Sequence, residues 1–164
     1  MAVIIVGFTA TRNITDAFPP GFVHETLSRL VDADIYVTGG ARGGDAVIGR
    51  WLYLNRPHAH HIVVVPFNRS QVDEWWLEYP NADPSVWSDI EIRYMEEGTT
   101  YKDRNQALVN MCTHVVGFPE YSEWDERSRR SGSWQTLRMA RNHTRHIKVQ
   151  WFEGDKAHKM WETS

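Results

Sequence analysis

A single cysteine, Cys112, stands in the 164-residue chain, so an intrachain disulfide is excluded. It falls in an apolar helical pattern with no cations around it, which predicts a packed thiol and a reducing, cytoplasmic setting. An excess of either charge is also missing: 18 Lys and Arg against 21 Asp and Glu leave a formal net charge of −3. That balance argues against a surface coated in nucleic-acid-binding charge, yet it leaves room for one local basic groove. No apolar run is long enough to span a bilayer, and the opening Met-Ala-Val-Ile-Ile-Val is too short and uncharged for a secretory signal. No membrane partner is therefore expected. Internal repeats and low-complexity segments are lacking as well. What is present is 41% hydrophobic and 24% charged residues, the profile of one soluble globular domain with a full core. Eight tryptophans are many for this length. They predict either a large core or exposed stacking surfaces.

The stretch Ile35-Tyr-Val-Thr-Gly-Gly-Ala-Arg-Gly-Gly-Asp-Ala-Val-Ile-Gly49 reads as a β-branched strand, a glycine-rich turn and an amphipathic helix with Val47, Ile48, Trp51 and Leu52 on one face. Gly39, Gly40, Gly43 and Gly44 allow a tight turn and close approach of a ligand to the backbone. The helix then starts with free N–H groups and the positive end of its dipole beside them, which is a site for an anion such as phosphate, with Arg42 close by. Neither the G-x-G-x-x-G fingerprint nor a P-loop is present.

Ala2–Val6 is a buried-type strand ending in Gly7-Phe-Thr-Ala-Thr-Arg12, where Thr9 and Arg12 supply a second anion-binding loop. A helix follows on Phe22, Val23, Thr26, Leu27, Leu30 and Val31, and His61–Val65 is a third strand. This alternation predicts a parallel sheet covered on both faces, with ligands at the carboxyl ends of its strands. Residues 66–89 form an aromatic insert holding Trp75, Trp76, Tyr79 and Trp87; Asn68–Tyr79 is a candidate helix, and a lid, a homodimer contact or a base-stacking surface are its open uses. Ile90–Met95 is a candidate strand and Thr100–Cys112 a helix that carries Arg104 over the strand ends as a ligand contact, with Asn105 beside it. His114–Phe118 is another strand. The charged run Pro119–Arg130 has no apolar period and reads as a mobile loop at the same sheet edge. Ser131-Gly132-Ser133 opens a further helix, with Ser131 as N-cap, so that a third helix N-terminus points at the site. His146–Phe152 closes the sheet, giving one domain over 1–152 and a polar tail over 153–164. His58, His60 and His61 lack partner ligands at metal spacing, so neither a metal nor a cofactor is expected.

Four pieces stand in order: Gly7-Phe-Thr-Ala-Thr-Arg12, Thr38-Gly-Gly-Ala-Arg-Gly-Gly-Asp45, Arg104-Asn105 and Ser131-Gly-Ser-Trp-Gln-Thr136. Together they resemble the SLOG superfamily, which joins Smf-type DNA processing proteins to lonely-guy phosphoribohydrolases. The resemblance implies a three-layer Rossmann-like α/β fold and a site for a nucleotide, a nucleotide-derived signal or, in one branch, single-stranded DNA. Lonely-guy enzymes pair an arginine with a glutamate; Arg104 matches the arginine, but Thr136 stands where the glutamate should. Asp45, Asp103 or Glu120 would have to supply that carboxylate, although Asp45 also suits capping at its helix N-terminus. The sequence therefore predicts a binder of a phosphorylated nucleotide-derived ligand, of sensor or sequestering type. Gly39, Gly40, Gly43 and Gly44 would cradle phosphate, Arg12, Arg42 and Arg104 would neutralise it, and Ser131, Gly132 and Ser133 would bond phosphate or ribose. The rivals are a phosphoribohydrolase-like enzyme using Arg104, Asp45 and Glu120, and a single-stranded DNA binder that stacks bases on tryptophan.

Overall fold

A computed structural model describes residues 2–30, 32–70, 72, 90–144 and 146–162. The strands are β1 (Ile5–Ala10), β2 (Ile35–Thr38), β3 (His60–Val65), β4 (Ile90–Tyr94), β5 (His114–Phe118), β6 (His146–Glu153) and β7 (Lys156–Glu162). The helices are α1 (Ile14–Ala17), α2 (Phe22–Ser28), α3 (Gly44–Asn55), α4 (Tyr101–Met111) and α5 (Gly132–Arg141), with a 3-10 turn over Glu126–Arg130. The strands form one sheet of order β4-β3-β2-β1-β5-β6-β7. Every pairing is parallel except β6 with β7. The fold is α/β, three-layered and Rossmann-like.

Alternation along the strands sorts the core into two layers. On one face Val6, Phe8, Tyr36, Val116 and Phe118 meet Ile14, Phe18, Leu27, Ile48 and Leu52 of α1 to α3. On the other, Val37, Val64, Val115 and Ile147 meet Leu108, Val109 and Cys112 of the α4 end and Trp134, Leu137 and Ala140 of α5. Burial of this aliphatic surface on both sides is what makes near-continuous apolar strands stable in the middle of a sheet. Two glycines set how closely the second layer approaches: a Cβ at position 7 would lie 2.4 Å from Cys112 Sγ, and one at 117 would lie 2.7 Å from Leu137. Cys112 is packed as expected, and burial pushes its thiol up to about 12.

Several expectations change. β1 runs over Ile5–Ala10, so Gly7–Ala10, expected as loop, extend the strand, and the connection begins at Thr11. The stretch 153–164, expected as a polar tail, contains β7 at Lys156–Glu162, paired along its length with β6. On α3 the buried face runs through Asp45, Ile48, Gly49 and Leu52, while Val47 is exposed. The run Pro119–Arg130 is anchored: Arg141 holds Glu123 with bonds of 2.5 and 2.7 Å, Trp134 Nε1 donates to Tyr121 O, and Ser128 is buried. The tryptophans of the insert lie outside the described residues, and so does its candidate helix apart from residues 68–70 and Val72, which bridges to Ala41.

Candidate functional site

The chain builds β1 to β4 outward on one side and then returns to place β5 against the other side of β1. At such a reversal the connections after the two central strands leave in opposite directions and open a crevice at their carboxyl ends. The loop after β1 is held there by Thr11 N, which donates to Phe118 O at 2.9 Å. Glu120, just past β5, accepts from Thr11 Oγ1 at 3.3 Å and from Asn13 Nδ2.

The glycine-rich turn after β2 serves this loop and not an open anion cradle. Gly44 N donates to Thr11 O at 3.1 Å. A Cβ on Gly43 would lie 2.2 Å from Arg12 O, and one on Gly44 would lie 2.4 Å from Thr11 O. The side chains are absent at these positions so that two backbones can touch. Gly40, Arg42, Gly43 and Gly44 consequently lie off the cavity lining, and exposed Arg42 turns away to donate to Ser70 O at 3.2 Å. Of the four glycines, Gly39 lines the crevice, and a Cβ there would strike Asp45 Oδ2 and Arg104 Nη1.

Asp45 and Arg104 form the floor. Arg104 is 6% exposed, and its Nη1 donates to Gly39 O and to Val64 O, while Nε donates to Asn105 Oδ1 at 2.8 Å. It does not overhang the strand ends as a free ligand contact; its guanidinium ties β2, β3 and α4 together beneath them. Asp45, in the first turn of α3, takes hydrogen bonds from the Ala10 and Ala41 backbone groups beside the helix start. Burial raises its carboxyl above the usual range, against the pull of Arg104, the Ala10 and Ala41 backbone groups and Arg12. Asp103 is outside the crevice lining and completes a capping box with Thr100, whose backbone amide holds it down.

The wall across from Asp45 is the start of α5. Ser131 caps it by accepting from Trp134 N at 3.2 Å. Gly132 has open space where a Cβ would stand, and Ser131, Gly132 and Ser133, at the start of a ten-residue helix, line the crevice. Ser133, Thr9 and Thr136 line the same space, although Thr136 Oγ1 is turned back to Gly132 O at 2.9 Å. The result is a cavity of about 500 Å³. Its charged lining is Arg12, Arg104, Arg127 and Arg130 against Asp45 and Glu120. Arg127 is engaged, paired with Asp125 at 2.8 Å and stacked 3.8 Å over Tyr121. Arg12 and Arg130 are exposed and bond no described side chain.

No family model, curated protein or solved structure matches this chain. Among the residues named from sequence, the structure brings together Thr9, Arg12, Gly39, Asp45, Arg104, Asn105, Glu120, Ser131, Gly132 and Ser133. Sequence reasoning missed Tyr101, Tyr121, Arg127, Arg130 and Gln135. Arg127 carried a readable signal, because Asp125 two residues earlier is an Asx cap that accepts from Arg127 N at 2.9 Å. Among the described residues no cluster of three metal-ligating side chains occurs.

The floor has a measurable signature. The folded pKa of Asp45 lies above its ordinary 3.8, so the native state keeps a proton that the unfolded chain has already lost. Its contribution to stability is full below that value and falls as pH rises through the folded pKa. Glu123 and Asp125, both lowered by arginine, act in the opposite sense and in a lower window. Asp45→Asn should therefore abolish a decline in urea-measured stability above about pH 4. An identical profile in the two proteins would mean that Asp45 titrates as a free carboxyl.

Proposed function

We propose that this protein binds a phosphorylated, nucleotide-derived ligand in the crevice between the carboxyl ends of β1 and β5. One observation carries the reading. Among its described residues, a chain of net charge −3 gathers four arginines against two carboxylates in one cavity at its topological switch point, which the start of α5 also lines. An anion would pair with exposed Arg12 and Arg130 and with the helix start at Gly132 and Ser133, and water exclusion in a cleft strengthens such contacts. Tyr101 and Tyr121 add aromatic surface for a base or ribose. The order of the motifs adds the SLOG resemblance to this support.

Calorimetry with nucleosides and their 5′-monophosphates tests the proposal. The monophosphates should bind and the nucleosides should bind at least about tenfold more weakly, with Arg12→Ala and Arg130→Ala each costing about tenfold or more. Equal affinity for phosphorylated and unphosphorylated forms would refute the phosphate site.

Asp45 and Glu120 at the same cavity favour a second reading, cleavage of the N-glycosidic bond, in which a carboxylate activates water or stabilises the ribosyl cation. Both carboxylates are committed to the loops around them, Glu120 to Thr11 and Asn13, Asp45 to the floor. The same incubations should accordingly release little free base over hours by chromatography. Turnover at about 1 per second, lost in Glu120→Gln, would make the protein a hydrolase.

A further inference from the structure

Beside the cavity, α4 and α5 face each other with polar stripes that the nucleotide site leaves unused. Lys102, Gln106 and Asn110 recur at four-residue spacing along α4, and Gln135 and Arg138 answer from α5. Exposed helix faces ordinarily alternate acidic and basic residues at that spacing. Among the described residues no carboxylate lines the groove of about 410 Å³, and Arg129, next in the chain to the cavity's Arg130, adds a further cation. Lys102 and Arg129 are exposed and donate no hydrogen bond to a described residue. In a chain of net charge −3 this is a second local excess of positive charge, with carboxamides in place of counter-ions.

Groove and cavity share a wall. Gln135 lines both, and its Oε1 accepts from Asn105 Nδ2 at 3.3 Å to form the partition. Tyr101 and Arg130 stand on the cavity side of it, their chain neighbours Lys102 and Arg129 on the groove side. From Lys102 to Asn110 the groove follows α4 for about 12 Å at a helical rise of 1.5 Å per residue.

We propose that the ligand is two nucleotide units long: a linear, phosphodiester-linked dinucleotide. Resting on the nucleotide reading, it seats its 5′ phosphate and first nucleoside in the cavity. The chain then crosses over Gln135. The linking phosphate meets Lys102 and Arg129, and the second nucleoside lies along Gln106 and Asn110, whose amides donate and accept without favouring one base.

Titration calorimetry with thymidine monophosphate and the 5′-phosphorylated thymidine dinucleotide, repeated with the adenosine pair, tests this. The dinucleotide of at least one pair should bind about tenfold or more tightly than its monophosphate, the margin expected of one added charge-assisted contact. Lys102→Ala/Arg129→Ala should erase that margin and leave monophosphate affinity and thermal melting unchanged. Equal affinity of monophosphate and dinucleotide in the wild type would overturn the inference while sparing the nucleotide site. A margin that survives the double variant would overturn it too. Failure of every nucleotide to bind would remove both readings together.

Discussion

Gly43→Val is expected to cost about 3–5 kcal/mol of folding stability, measured by urea denaturation. Two effects add. Gly43 has φ 86° and ψ −126°, a region that side-chain-bearing residues avoid. Its Cβ would also lie 2.2 Å from Arg12 O and 2.6 Å from Arg12 Cα, and backbone atoms cannot swing aside as a side-chain tip can. Relief requires moving the whole loop between β1 and α1, and with it the Thr11 bonds to Gly44 and Phe118. Gly98→Ala separates the two effects, since Gly98 has φ 85° with open space around it, and should cost about 1 kcal/mol from backbone strain alone. Gly132→Ala, also in open space and without a positive φ, should leave stability nearly unchanged. Wild-type stability in Gly43→Val would disprove the backbone contact on which the site geometry rests.

Arg104→Ala should be nearly as damaging, at about 3–5 kcal/mol near neutral pH. The substitution deletes the bonds to Gly39 O, Val64 O and Asn105 Oδ1 and strips the buried Asp45 carboxyl of its nearest counter-charge. With Arg104 gone, burial acts on Asp45 less opposed, so its pKa rises further and the loss should shrink as pH falls from neutrality and the carboxyl takes up its proton. Adding Asp45→Asn should restore part of the neutral-pH loss, a coupling that a double-mutant cycle reads directly. Arg104→Lys should restore little, because an ammonium cannot span three acceptors held in the plane of a guanidinium. If Arg104→Ala instead kept wild-type stability and lost only ligand affinity, the residue would be the surface contact that its place near the start of a helix suggests.

Arg104 also marks where sequence reading stopped. Periodicity set it on the face of Leu108, one turn nearer the helix start, and both residues line the cleft. What the guanidinium touches depends on Gly39 and Val64, which are far away in the chain and are brought beneath it by strand pairing. The glycine-rich turn shows the same division. Its residues announced close approach, since only a missing Cβ permits it, but a missing Cβ does not say whether a ligand or a second loop fills the space. The sheet order decided that, by laying the Ala10–Arg12 backbone against Gly43 and Gly44.

The cores of β1 to β6, the alternation of layers and a crevice at the strand ends were determined by the sequence alone. They follow from local apolar runs, helical spacing and the rule that parallel strands need crossovers. Three things were decided only in the tertiary structure. The tail became β7 because β6 offered an unpaired edge, and its own composition held no apolar run to announce a strand. The charged run Pro119–Arg130 became a wall of the cavity because Trp134, Arg141 and Ser128 anchor it. The cavity's positive balance arose because Arg12, Arg104, Arg127 and Arg130, dispersed along the chain, converge where β5 returns to β1. Net charge is a sum over the chain and is blind to position; electrostatic potential depends on distance, and distance is set by the fold.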